Sequence, residues 1–209
     1  MGRIVFLLAT LTLGGCVAMT TIAAIPGALI EGTVGYFQGQ EESLPVSMQT
    51  SLASVQQGLH RMDLAVDVLE PVKEGYAIEF GNGKLDGVIE LKRQTPKLTT
   101  FSIVVRRGMG RQKSVEQAIM KEVRKVSERR GAHKKFDFRG YHHVRAKPSI
   151  KTERIGWYRP GAMLEASKSR KEGWLRIKMP SRKWGYLKGA LPEKHGREDL
   201  GVALNIMSS

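Results

Sequence analysis

The only cysteine of the chain, Cys16, closes the run IVFLLATLTLGG, and a lone thiol there has two chemistries open to it. It is the side chain best suited to forming a thioether, or it packs as a small apolar group. A single cysteine excludes a disulfide framework and any multi-cysteine metal cluster. The five histidines are His60, His133, His142, His143 and His195. Only His142 and His143 adjoin, and neighbours on a strand point to opposite faces, so they cannot easily clasp one metal. No serine stands in a Gly-x-Ser-x-Gly elbow. Glu79 and Glu90 lie on alternating segments, where two carboxylates either pair or face solvent. The stretch VRRGMGRQKS sets glycines and four basic side chains before a helix start, which could hold an anion. It lacks the full GxxxxGK pattern, and a glycine turn on a basic surface accounts for it better. With no catalytic constellation, the expectation is a protein that is not an enzyme and holds no cofactor or metal.

The residues suited to binding lie later. Of 34 Lys and Arg against 20 Asp and Glu, residues 131–209 hold 18 cations and only seven carboxylates. A concentrated positive field favours phosphate-bearing polymers, anionic lipid or nucleic acid, and equally serves as a solubilising surface. Aromatic side chains interleave with those cations. Trp157, Tyr158, Trp174, Arg176, Trp184 and Tyr186 are the candidate ligand-binding residues, each aromatic being core, edge or platform. Lys168, Arg170, Lys171, Lys178, Arg182 and Lys183 would decorate the same region.

The elements that position these residues fall into three stretches. At the start, residues 4–30 carry no charge, enough to cross a hydrocarbon layer of roughly 20 residues. Within them, Arg3, the apolar Ile4 to Leu13 and the small pair Gly14 and Gly15 have the layout of a secretory signal cleaved before Cys16. Leu13, Gly14, Gly15 and Cys16 resemble the lipobox of bacterial lipoproteins. That resemblance implies a signal peptide over 1–15, a diacylglycerol on the Cys16 thiol and a lipid-anchored segment over 16–40. Val17, where inner-membrane lipoproteins often carry Asp, points to the outer membrane where there is one. An uncleaved helical anchor is the alternative.

In the middle stretch, 41–130, Leu44, Met48, Leu52, Val55, Leu59 and Met62 make one helical stripe, with Ser43 as N-cap and Pro45 in the first turn. Leu64, Val66 and Val68 alternate, as do GYAIEF and GVIELKR around Gly81, Asn82 and Gly83, which predicts a strand meander. FSIVVRR adds a strand burying Phe101, Ile103 and Val105. Ser114 and Gln117 form a candidate capping box for a helix burying Val115, Ile119, Val123 and Val126. Through GYFQGQ, the Leu59 to Leu64 exit and TTFSIVVRRGMGRQKSVEQAI, this stretch resembles a family of small bacterial lipoproteins of uncharacterised function. In that family the glycine loop usually carries an acid; here Arg111 and Gln112 stand instead.

From Phe138 onward, short β-like pieces alternate with glycine, proline and basic residues, as in a small barrel. Val144, Arg145 and Pro148 match the opening of bacterial SH3-like domains. Gly156 to Gly161 match their second turn, Gly173 and Trp174 a Gly-Trp strand, and Trp184 to Leu187 the closing strand. The resemblance implies an SH3-like barrel over 138–193, with 194–209 as tail. It also implies an interaction module for cell-wall peptides or other envelope components, and residues 139–193, with 14 cations against four carboxylates, suit an anionic one.

The expected fold is therefore α+β: a helix, an antiparallel meander and a helix, then the all-β barrel. The expected function is a non-enzymatic envelope lipoprotein facing the periplasm and binding peptidoglycan or another envelope polymer or protein. The alternatives are a membrane-anchored scaffold or accessory of a wall-modifying enzyme, and a nucleic-acid binder, the last resting only on a pI near 10.1.

Overall fold

Two apolar cores lie along one antiparallel sheet, and strand β2 contributes to both. The computed structural model describes residues 39–129 and 135–189, all in one compact unit. The elements run β1 (Gln40–Leu44), α1 (Met48–Arg61), β2 (Ala65–Val72), β3 (Gly75–Gly81), β4 (Asp86–Thr95), β5 (Leu98–Arg107), β6 (Gly110–Arg111) and α2 (Lys113–Ser127). After them come β7 (His142–Arg145), β8 (Arg154–Tyr158), β9 (Ala166–Lys168), β10 (Trp174–Lys178) and β11 (Trp184–Lys188). Cys16, His133, His195, the 1–15 signal and the 194–209 tail lie outside the described residues. Among the described residues, no helix is long and apolar enough to cross a membrane.

The meander forms as its alternation dictates. Strands β2 to β5 pair in sequence, β1 adds beyond β5, and the two helices cover one face. Phe101, Ile103 and Val105 of β5 are fully buried with Ile89, Leu91, Ile78 and Phe80, against Leu52, Val55 and Leu59 of α1 and Ile119 and Val123 of α2. The fold is α+β, as expected.

Three local expectations change. Ser43 does not cap α1, because Ser43 and Leu44 pair with Thr100 and Thr99 as strand β1. The helix therefore starts later, with Ser47 as N-cap accepting from the Thr50 amide at 3.3 Å, and Met62 becomes its C-cap. Ser114 and Gln117 lie inside α2 rather than forming a capping box. The Val115 and Glu116 amides already donate to Gln112 O, so the helix begins before Ser114 can cap it. In β2 a one-residue irregularity falls between Val66 and Val68. Such a slip reverses which face the following residues occupy. Val66 and Leu69 thus enter the first core while Val68 enters the second, so the even alternation from Leu64 to Val68 does not hold.

The second core comprises Val68, Val144, Tyr158, Ala162, Leu164, Leu175, Ile177, Met179 and Leu187. Its strands continue the sheet in the order β2-β8-β7-β11-β10-β9. Among the described residues the sheet is open, ending at β1 and β9, and no ladder closes β7 to β11 into the expected barrel. Instead β8 pairs with β2 through Val68 with Tyr158 and Leu69 with Trp157. Around that seam the Arg159 guanidinium meets Asp67 at 2.6 Å. The Ser181 amide and hydroxyl donate to the buried Glu70 carboxylate at 2.8 and 2.5 Å.

Candidate ligand-binding face

Strand periodicity builds a surface from β10 and β11. Leu175 and Ile177 point into the second core, so Trp174, Arg176 and Lys178 point away from it. Opposite residues of an antiparallel pair share a face. The register sets Trp174 against Lys188, Arg176 against Tyr186 and Lys178 against Trp184. Tyr186 in turn faces Arg145 on β7, and Arg176 faces Ser167 on β9. This outward face therefore joins four cations and three aromatic rings, and among the described residues no carboxylate holds a strand position on it.

The rings and cations touch. The Arg176 guanidinium lies 4.1 Å from the centre of the Trp184 ring and donates to Ser167 Oγ at 3.3 Å, while Lys178 Nζ stands 5.8 Å from the same ring. Trp184 is 45% exposed, so a cation–π pair is held open to solvent. A surface of this kind combines stacking area with positive potential, which suits an anionic ligand.

The six candidate residues divide. Trp174, Arg176, Trp184 and Tyr186 lie together on this face. Trp157 belongs to an aromatic group against the first core, 4.8 Å from Phe138 and 6.0 Å from His143 between ring centres. Tyr158 is buried in the second core. Lys188 and Arg145 join the face in addition to those four. Lys188 was readable from the alternation Trp184, Tyr186, Lys188, whereas Arg145 arrives through the β7–β11 pairing, a long-range contact with no local signal.

The other chemistry-bearing candidates are placed elsewhere. In the VRRGMGRQKS turn the Arg111 guanidinium is bound by Glu116, at 2.8 Å from each carboxylate oxygen, so it already has its anion. Glu79 and Glu90 sit on adjacent strands opposite Val88 and Ala77, and neither is a charge neighbour of the other. His142 and His143 face Tyr158 and Trp157 respectively, and among the described residues no group of side chains could hold a metal ion.

Glu79 instead faces other carboxylates. Burial pushes its carboxyl up to about 7, with Asp67, Asp86 and Glu165 adding to the rise. Burial likewise raises Asp67 to about 6, against the opposing pull of Arg159. An unfolded carboxyl titrates near 4. From there up to about 7 the native carboxyls hold protons that the unfolded chain has released, so stability falls as pH rises through that window. His143 acts oppositely. Burial, then Arg154, Arg145 and His142, hold its imidazole below the usual range, so its contribution is lost as pH falls past the ordinary histidine value. Urea denaturation is expected to give about 2 kcal/mol more stability at pH 5 than at pH 8. Glu79→Gln should flatten that slope by raising the pH 8 value; an unchanged slope in the variant would place the titration elsewhere.

Comparison of the chain with protein-family models and with curated proteins finds no match to either.

Proposed function

We propose that this chain is a non-enzymatic lipoprotein of the cell envelope, diacylated on Cys16 and facing the periplasm. On this reading residues 41–130 are its α+β part. Residues 138–193 are an SH3-like module binding peptidoglycan or another anionic envelope polymer or protein. The observation that carries the binding function is the outward face of β7, β10 and β11, where Arg145, Arg176, Lys178 and Lys188 stand among Trp174, Trp184 and Tyr186, with no carboxylate at a strand position among the described residues. Five short antiparallel strands packed on a second apolar core, which they share with Val68 of β2, support the SH3-like reading, which treats the module as opened where β8 pairs with β2.

Two measurements test it. Mass spectrometry of the mature chain should find a diacylated N-terminal peptide beginning at Cys16, and the Cys16→Ser chain should retain residues 1–15. A mature wild-type chain still beginning at Met1 would replace the lipid by an uncleaved helix. Purified peptidoglycan sacculi should retain the full chain at physiological salt and release it at high salt, as screening weakens the contact. No retention at physiological salt removes peptidoglycan as the partner.

A further inference from the structure

Beside this face a cavity of about 310 Å³ opens, lined by Tyr158, His143, Arg145, Trp174, Lys188 and Ile150 among others. Tyr158, only 3% exposed, forms part of its wall. His143 Nδ1 is buried without a hydrogen-bond partner. A buried polar atom left unpaired is costly, so one in a cavity wall marks where a ligand can satisfy it. Burial raises the Tyr158 phenol to about 12 and lowers His143, so Tyr158 remains an O–H donor and the imidazole stays neutral, with one nitrogen donating and one accepting. Arg145 donates one bond, from Nη1 to Thr152 O at 2.8 Å, leaving further N–H groups beside the cavity, and Lys188 adds a second cation.

We propose that this cavity receives one carboxylate- or phosphate-bearing sugar residue of an acidic saccharide chain, with Arg145 and Lys188 on the acid, and Tyr158 and His143 on the hydroxyls. The inference rests on the envelope-binding reading above and narrows its ligand. The volume sits at the small end of ligand pockets, about 300 to 1,000 Å³, which suits one residue of a polymer. A saccharide fits better than a nucleic acid for two reasons. Trp174 is only 9% exposed and presents little ring surface for a base to stack on, and the Trp184 ring already carries the Arg176 guanidinium. The remainder of the chain would pass over Tyr186 towards Trp184.

The test titrates the full chain in detergent with trigalacturonate, maltotriose, inorganic phosphate and a 20-nucleotide oligothymidylate. Trigalacturonate should bind with an affinity that falls with salt, while maltotriose and phosphate bind at least tenfold more weakly. Lys188→Ala should lower trigalacturonate affinity about tenfold. Tyr158→Phe, which keeps the buried ring and removes only the hydroxyl, should lower it about fivefold. Circular dichroism checks that both variants fold. Equal binding of maltotriose or phosphate, tighter binding of the oligothymidylate, or two folded variants with unchanged affinity each overturn the assignment. If sacculi still retain a Lys188→Ala chain that no longer binds trigalacturonate, the cavity is not the wall-binding site and the envelope reading survives. If trigalacturonate binds as expected while residues 1–15 remain on the mature chain, the lipoprotein reading fails and the cavity assignment stands.

Discussion

A Gly156→Val chain is expected to lose about 3 kcal/mol or more of stability, seen as an earlier midpoint in urea followed by Trp fluorescence. Gly156 lies on β8 where that strand passes β2, and even a Cβ there would stand 2.7 Å from Leu69 O and 2.9 Å from Met179 Cε. The methionine tip can swing aside. The Leu69 carbonyl cannot, because β2 is held on its other side by the full β3 ladder. A branched side chain therefore pushes β8 off β2 and weakens the pairing of Val68 with Tyr158 and Leu69 with Trp157. The comparison variant is Gly161→Ala, where nothing lies within 4 Å and only the positive φ of 78° is strained. That change should cost about 1 kcal/mol. Equal stabilities for the two variants would show that β8 tolerates displacement from β2.

The second large effect lies at the start of α2. Glu116 is fully buried, and its carboxylate accepts from the Val105 amide at 3.0 Å and from the Arg111 side chain through both oxygens. Burial alone would raise its carboxyl, but the Arg111 hydrogen bonds, the Val105 amide and the nearby cations together hold it below the usual range. The ionised form is thus the native one. Its contribution is complete above the unfolded carboxyl value and is lost as pH falls below it. Glu116→Ala leaves the Val105 amide unpaired and the Arg111 guanidinium without its anion, at a cost of about 3 kcal/mol at neutral pH. Hydrogen exchange at the Val105 amide should accelerate in parallel. A stability within about 0.5 kcal/mol of wild type would mean that water replaces the carboxylate there, as at ordinary surface positions.

What the sequence disclosed follows from the range of the forces involved. Alternation in FSIVVRR and the spacing of Ile119, Val123 and Val126 are local, and all of those apolar residues are buried. The outward alternation of Trp174, Arg176 and Lys178 was equally readable. The start of α1 was misplaced because the β1–β5 ladder, joining residues nearly sixty positions apart, claims Ser43 and Leu44 before helix propensity acts. The same limit applies to β2 with β8, to Glu70 with Ser181, and to the bond between Glu116 and the Val105 amide. Nothing near any of those residues announces its partner. The cavity wall was the least legible part, since Tyr158, His143 and Lys188 come from three strands and their meeting depends on register.

The irregularity in β2 bears on how the C-terminal stretch can be inherited. By setting Val68 on the side opposite Val66, it makes a residue from the first half of the chain a full member of the second core. A segment cut at Phe138 and transplanted elsewhere would leave Tyr158 facing water where Val68 had been, and would strip Ser181 of the Glu70 carboxylate that receives its amide and hydroxyl. It would not travel as a cassette. Moving the cationic face to another protein would mean carrying β2 with it or supplying a substitute strand.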